Sequence, residues 1–239
     1  MPGKILIIIL SLAPLAVFSQ GKNKISFGSG LISERYSDQN FSSLVYTGTG
    51  YDMALFYQRQ LNKKVHAKGE FTFQSSEIAH RLGKQPIKSS SSGMDLTLLY
   101  QLFCMRQHKI NIGVGYSRVF ETRKSEYGYY SQIQHWMQGL ALSPGYVYEH
   151  PVFILDFSLV FPVFSRVYSQ TYAANGAHNF FYASLHNYSS FCTRSSIFFR
   201  IAPSQYVGMN YSWRFNKNEV AKTILTASHG IKVSYSFHF

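Results

Sequence analysis

Charged residues make up only 14% of this chain, so the places where they occur are informative. Asp52, Lys68, Glu70, Asp95, Asp156, Arg200, Arg214 and Lys232 each sit between apolar, aromatic or glycine neighbours. Acids and bases in that set are equal in number, which suits a network of ion pairs inside a narrow interior. Unpaired charges there would be costly, whereas paired and hydrogen-bonded ones hold register. The sharper alternative is a selective polar pore or a proton path. A second set could do acid–base chemistry: His80, His135, His178, His186 and His229, with Asp52 and Asp95 as the acids nearest them. No His–acid or Ser–His pair shows a recognised spacing, so no catalytic residue is assigned. Gly28-Ser29-Gly30, Gly48-Thr49-Gly50 and Gly113-Val114-Gly115 look like fragments of a phosphate loop. None continues to a third glycine before a helix, and glycines inside strands instead admit close neighbours. Cys104 and Cys192 have neither metal-ligand nor redox spacing. No metal or cofactor is expected.

The elements that carry these residues alternate strictly between apolar and polar positions, the period of a strand with one greasy and one wet face. The pattern predicts strands over 24–35, 50–61, 65–75, 93–105, 109–120, 139–148, 152–168, 191–202, 205–216 and 230–239. The eight charges all fall on the polar face. Short turns join some strands: Asn62-Lys63-Lys64, Arg106-Gln107-His108, Glu149-His150-Pro151 and Pro203-Ser204. The others are separated by long polar stretches reaching Thr47, over 77–92, over 121–138, over 169–190 and over 217–225. The two kinds alternate. A β-sandwich also alternates hydrophobicity but has little reason to sort its connections by parity. The expectation is an all-β chain forming a transmembrane antiparallel up-and-down β-barrel of ten strands. Even strand number, short turns at one end and long loops at the other are the rule for such barrels.

The final stretch, Gly230 to Phe239, grows more aromatic toward its end, with Tyr235, Phe237 and Phe239 on one face. It resembles the C-terminal signal of bacterial outer-membrane β-barrels. That resemblance implies recognition by the barrel-assembly machinery, closure of the barrel by this strand, and the outer membrane of a Gram-negative cell as the location. Lys4, the apolar run from Ile5 interrupted at Pro14, and Val17-Phe18-Ser19 before Gln20 read as a secretory signal peptide over 1–19. Residues 20–239 then form one barrel domain.

The formal charge of +12 would suit nucleic acid in a cytoplasmic protein. Here the bases are scattered and the chain is exported. A basic exterior against outer-membrane lipid and lipopolysaccharide headgroups is the better fit, with no nucleic-acid partner. Small barrels of this kind include enzymes: omptin-like proteases, and lipid A deacylases that use Ser and His with a carboxylate, which His186-Asn187-Tyr188-Ser189 resembles loosely. The residues favour a non-enzymatic barrel instead. It would act as an accessory or structural subunit of a larger outer-membrane complex, or as a surface-recognition barrel using its Tyr-, Ser- and Asn-rich extracellular loops. Other outer-membrane proteins are its expected partners.

Overall fold

The computed structural model describes residues 23–38, 42–80, 86–125, 132–170, 178–184, 188–219 and 223–239. The expected signal peptide and His186 therefore lie outside the described residues. The strands are β1 (Asn23–Asp38), β2 (Ser42–Gln60), β3 (Val65–Ala79), β4 (Ile87–Met105), β5 (His108–Ser125), β6 (Gln132–Glu149), β7 (Phe153–Gln170), β8 (His178–Ser184), β9 (Tyr188–Ala202), β10 (Gln205–Asn218) and β11 (Ile224–His238). Every pairing is antiparallel, and β1 closes on β11 from Lys24↔His238 to Asp38↔Ile224. Beyond that ladder the Asn23 N–H donates to Phe239 O at 2.8 Å, and the Phe239 N–H returns to Asn23 O at 2.9 Å. Closure joins the first and last strands, so neither is an edge; among the described residues only the short β8 is paired on one side alone.

The barrel has ten strand positions although eleven segments occupy them. β8 pairs with Phe164–Gln170 of β7, while β9 pairs with Phe153–Val160 of the same strand and then with β10 along its whole length. Beside β7, β9 therefore occupies the turn-end part of the eighth position and β8 the far-end part, while Tyr188–Phe191 of β9 pair with β10 alone. A bulge at Val163 on β7, where Phe164 pairs with Leu140 and Pro162 with Ala141, shifts the phase of β7. Proline cannot donate to a ladder, and an extra residue there turns the strand face over. The single apolar face expected for 153–163 therefore stops at this bulge. Phe164 points out and Ser165 and Val167 point in.

The strands run further than alternation predicts. β2 has 19 residues, about 60 Å of extended chain, against a hydrocarbon core of about 30 Å. Even steeply tilted, it projects well past any bilayer. Ser42–Thr47, Ile87–Ser92, Glu121–Ser125, Gln132–Gln138 and Tyr188–Ser190, expected as loop, lie in strands. The physical reason is solvent. Above the lipid an outward side chain need not be greasy, so Arg35, Thr47, Thr49, Glu77 and Lys88 appear there and the alternation fades. Nearer the turns, the outward face carries Phe27, Leu31, Tyr51, Met53, Leu55, Phe71, Leu96, Leu98, Val114 and Met209, all well exposed. A band of that width has no place in water.

The glycine pairs sit where neighbouring backbones approach most closely. A Cβ at Gly30 would strike the Ile231 carbonyl, and one at Gly50 the Ser75 carbonyl.

Both cysteines are free: Cys104 is exposed near the turn end, and Cys192 is buried against Ala141 and Val160. Alkylation of the folded protein is expected to label Cys104 at once and Cys192 only after unfolding. A native disulfide found by mass spectrometry would contradict these strand directions.

Candidate functional site

Inward positions from all around the barrel meet in a lumen that is packed in its far half and opens toward the turns. In the half remote from the turns, β5 contributes Glu121 and Arg123, and β1 contributes Glu34. All three are buried, with Arg123 only 3% exposed. Arg123 Nη2 lies 3.1 Å from Glu34 Oε1, and Nη1 lies 3.1 Å from Glu121 Oε2. Ser76 of β3 donates to Glu34 Oε2 at 2.6 Å, Ser89 of β4 donates to Oε1 at 3.1 Å, and Arg123 also reaches Thr226 of β11. Arg123 and Glu34 together thus tie β1, β3, β4, β5 and β11. Its plane lies 3.9 Å over the Tyr36 ring, which packs with Tyr46, Ile78 and Ile87. A second apolar cluster, Val119, Met137, Val167, Ala183 and Tyr188, fills the facing wall.

Closer to the middle, Arg194 of β9 bridges to Asp95 at 2.5 Å and Glu70 at 3.3 Å, and Ser117 donates to Asp95 at 2.6 Å. Lys232 of β11 meets Asp52 of β2 at 2.7 Å, with Asp52 wholly buried. Arg214 sits near enough to Asp95 and Glu121 to share their charge. Buried carboxylates with these partners act as cross-braces. Without the partners they would carry an uncompensated desolvation cost of several kcal/mol each.

Toward the turns the packing stops, and a chamber of about 380 Å³ opens among Lys24, Lys68, Lys109, Glu149, Asp156 and Arg200. Lys109 and Glu149 pair at 2.7 Å near the mouth. Lys68 instead lies over the Phe56 ring, and Arg200 donates to the Tyr206 hydroxyl at 2.7 Å.

The structure thus places Asp52, Glu70, Asp95, Arg214 and Lys232 in the packed part of the lumen, and Lys68, Asp156 and Arg200 in the chamber. It also puts partners there that the sequence reading left out. Arg194 and Glu34 were readable by parity from Arg200 and from Leu31, each an even number or odd number of residues away on its strand. Glu121 and Arg123 were not, because the alternation around them had already faded.

The histidine set is dispersed. His229 faces outward, its Nδ1 2.7 Å from the Tyr211 hydroxyl and its ring stacked on Trp213. His80 packs edge-on to Tyr46 at the far rim, and of His178 only the backbone is described. Asp52 and Asp95, expected as acids beside these histidines, are held by Lys232 and Arg194 deeper in the lumen. His135 faces Glu121 across β5 and β6 and stacks on Tyr188. That carboxylate is already engaged by Arg123. Among the described residues no group of three or more His, Cys, Asp or Glu could hold a metal ion.

No family model and no curated protein matches the chain. Solved structures do. The outer-membrane protease OmpT of Escherichia coli aligns over 91% of this chain and 96% of its own, with a TM-score of 0.60 and 8% identity. The translocator domain of the autotransporter NalP of Neisseria meningitidis covers 100% and 96%, with a TM-score of 0.49 and 7% identity. Ail, the attachment invasion locus protein of Yersinia pestis, covers 90% and 99%, with a TM-score of 0.37 and 11% identity. At such identities the OmpT likeness establishes the fold alone: a closed antiparallel barrel of the outer-membrane kind.

Proposed function

We propose that this chain is a non-enzymatic outer-membrane barrel of Gram-negative bacteria that serves as an accessory or structural subunit of a larger outer-membrane assembly. The observation that supports this best is the filled lumen. Three ion-paired groups and two apolar clusters occupy the barrel from its middle to its far end. Opposite charges in contact, with long side chains crossing the bore, narrow the free space in the middle to a void of about 70 Å³ beside Glu70, Arg194 and Lys232. A conducting pore would be served by small or one-signed lining.

The outer wall supports contact with lipid and lipopolysaccharide. Arg118, Gln138, Arg166 and Tyr182 form one cross-strand row on β5 to β8. The row above it holds Phe120, Trp136 and Tyr168, with the Trp136 and Tyr168 rings stacked at 5.8 Å. Basic and aromatic residues at the upper border of a greasy band match an anionic headgroup level.

An enzymatic reading rests on the Glu121–His135 pairing alone and is weakened by the Arg123 bridge. Planar-bilayer recording of the purified protein is expected to show negligible steady conductance. Purification from native membranes in mild detergent should bring stoichiometric outer-membrane partners with it. Stable ion-selective channels would overturn the closed-barrel reading, and a solitary barrel that cleaves peptide or lipid A would overturn the subunit reading.

A further inference from the structure

The charge balance of the lumen changes along its length. In the packed half each carboxylate cluster holds a base directly: Arg123 with Glu34 and Glu121, Arg194 with Glu70 and Asp95, Lys232 with Asp52. In the chamber this pairing ceases. The Lys24 ammonium lies 4.3 Å from the centre of the Phe198 ring and 5.4 Å from that of Phe56, and the Lys68 ammonium lies 4.9 Å from the same Phe56 ring. Arg200 has the Tyr206 hydroxyl, at 3.1 Å from Nε and 2.7 Å from Nη2. Among the described residues no carboxylate comes within ion-pair contact of these three cations. Glu149, on the same wall, is taken by Lys109 at 2.7 Å. Asp156 lines the chamber beyond ion-pair distance but close enough to act on Lys24 electrostatically.

Two ammonium groups at one aromatic ring repel each other in a space partly shielded from water, and a guanidinium lines the same chamber. Aromatic faces and a phenol hold such cations in place but do not neutralise them. An arrangement that lines one open cavity with several cationic side chains is receptive to a compact polyanion. A guanidinium fork and two point-charge ammoniums match a group with several equivalent oxygens. A volume of about 380 Å³ admits a small molecule and excludes a folded domain.

We propose that the chamber at the turn end of the barrel is a binding site for a small polyanion of the phosphate class, held by Lys24, Lys68 and Arg200. In the outer-membrane orientation the turns face the periplasm, so the ligand would enter from that side. The site is independent of whether the barrel has protein partners.

The test is calorimetric titration of the purified full-length chain in a non-ionic detergent at low ionic strength, with inorganic pyrophosphate as probe. One saturable site is expected. Lys68→Gln and Arg200→Gln should each weaken binding by about tenfold or more, the loss of one charge-assisted contact. Lys63→Gln, an exposed turn lysine at the same end, should leave it unchanged. Arg200 stands at the open mouth and is exposed, so R200Q retains the barrel even where K68Q disturbs it. Folding of each variant is checked by heat-modifiable gel mobility. Absence of saturable binding, or equal weakening by K63Q and R200Q, would refute the site. Tighter binding of citrate than of pyrophosphate would refute the phosphate class.

Discussion

Arg123→Met is expected to destabilise the barrel by about 3–5 kcal/mol, the cost of breaking a buried ion pair from one side. The side chain is 3% exposed and holds two buried carboxylates, Glu34 and Glu121. With the guanidinium gone, those two acids face each other without a base in contact, and the Tyr36 ring loses the plane stacked on it. Methionine keeps much of the volume, so the effect reads charge rather than cavity. The Glu34→Gln/Glu121→Gln/Arg123→Met triple variant removes all three charges, and most of the lost stability should return. Urea titration of the protein reconstituted in short-chain lipid vesicles measures both differences. A single variant within about 1 kcal/mol of the parent would show that the bridge sits in a far wetter environment than its burial indicates.

That bridge also marks where the sequence stops being legible. Within the greasy band the physics permits one pattern only, apolar toward lipid and polar toward the lumen, and residues such as Leu31, Asp52 and Val233 display it without ambiguity. Strand existence, face assignment and the short turns could be read there. Above the band both faces may be polar, so Glu121, Thr122 and Arg123 look like loop although they lie in the β5 ladder with β4 and β6. The reverse holds inside. The far end of the lumen is apolar at Tyr36, Ile78, Ile87 and Val167, where an alternation rule expects polarity. Those residues are buried against one another, not against lipid. A periodicity argument sees the two environments as the same signal.

The pairing of the charges was beyond reach for a different reason. Arg194 and Asp95 are 99 residues apart, on β9 and β4, and Lys232 and Asp52 are 180 apart on β11 and β2. Parity says that a residue points inward, but only the shear of the closed barrel says whom it meets. Lys68, Asp156 and Arg200 share inward parity with the paired residues, yet the structure leaves them around a cavity.

The largest effect is expected at the end of β11. Phe237 pairs with Ile25 on β1 and with Gln205 on β10, so this residue links both neighbours of the closing strand. The His238 N–H donates to Ser204 O, and its ring stacks on Tyr206 at 4.3 Å. Phe239 completes the seam through its two backbone bonds to Asn23. Deleting Phe237–Phe239 therefore removes the last rungs of the β1–β11 seam and, on the resemblance of this stretch to an assembly signal, the feature that the barrel-assembly machinery reads. Water at the turn-end rim can satisfy the freed backbone groups, so each lost rung costs on the order of 1 kcal/mol, and the larger loss is that of the aromatic end. Membrane accumulation of the truncated chain should fall by an order of magnitude or more, by these losses together, while export is untouched. Quantitative immunoblotting of outer-membrane and periplasmic fractions separates the two steps. Normal outer-membrane levels would mean that the seam tolerates a frayed end and that Tyr235 and the residues before it suffice for assembly. Loss from both fractions without a periplasmic pulse of precursor would move the defect back to export and count against the strand's role in closure.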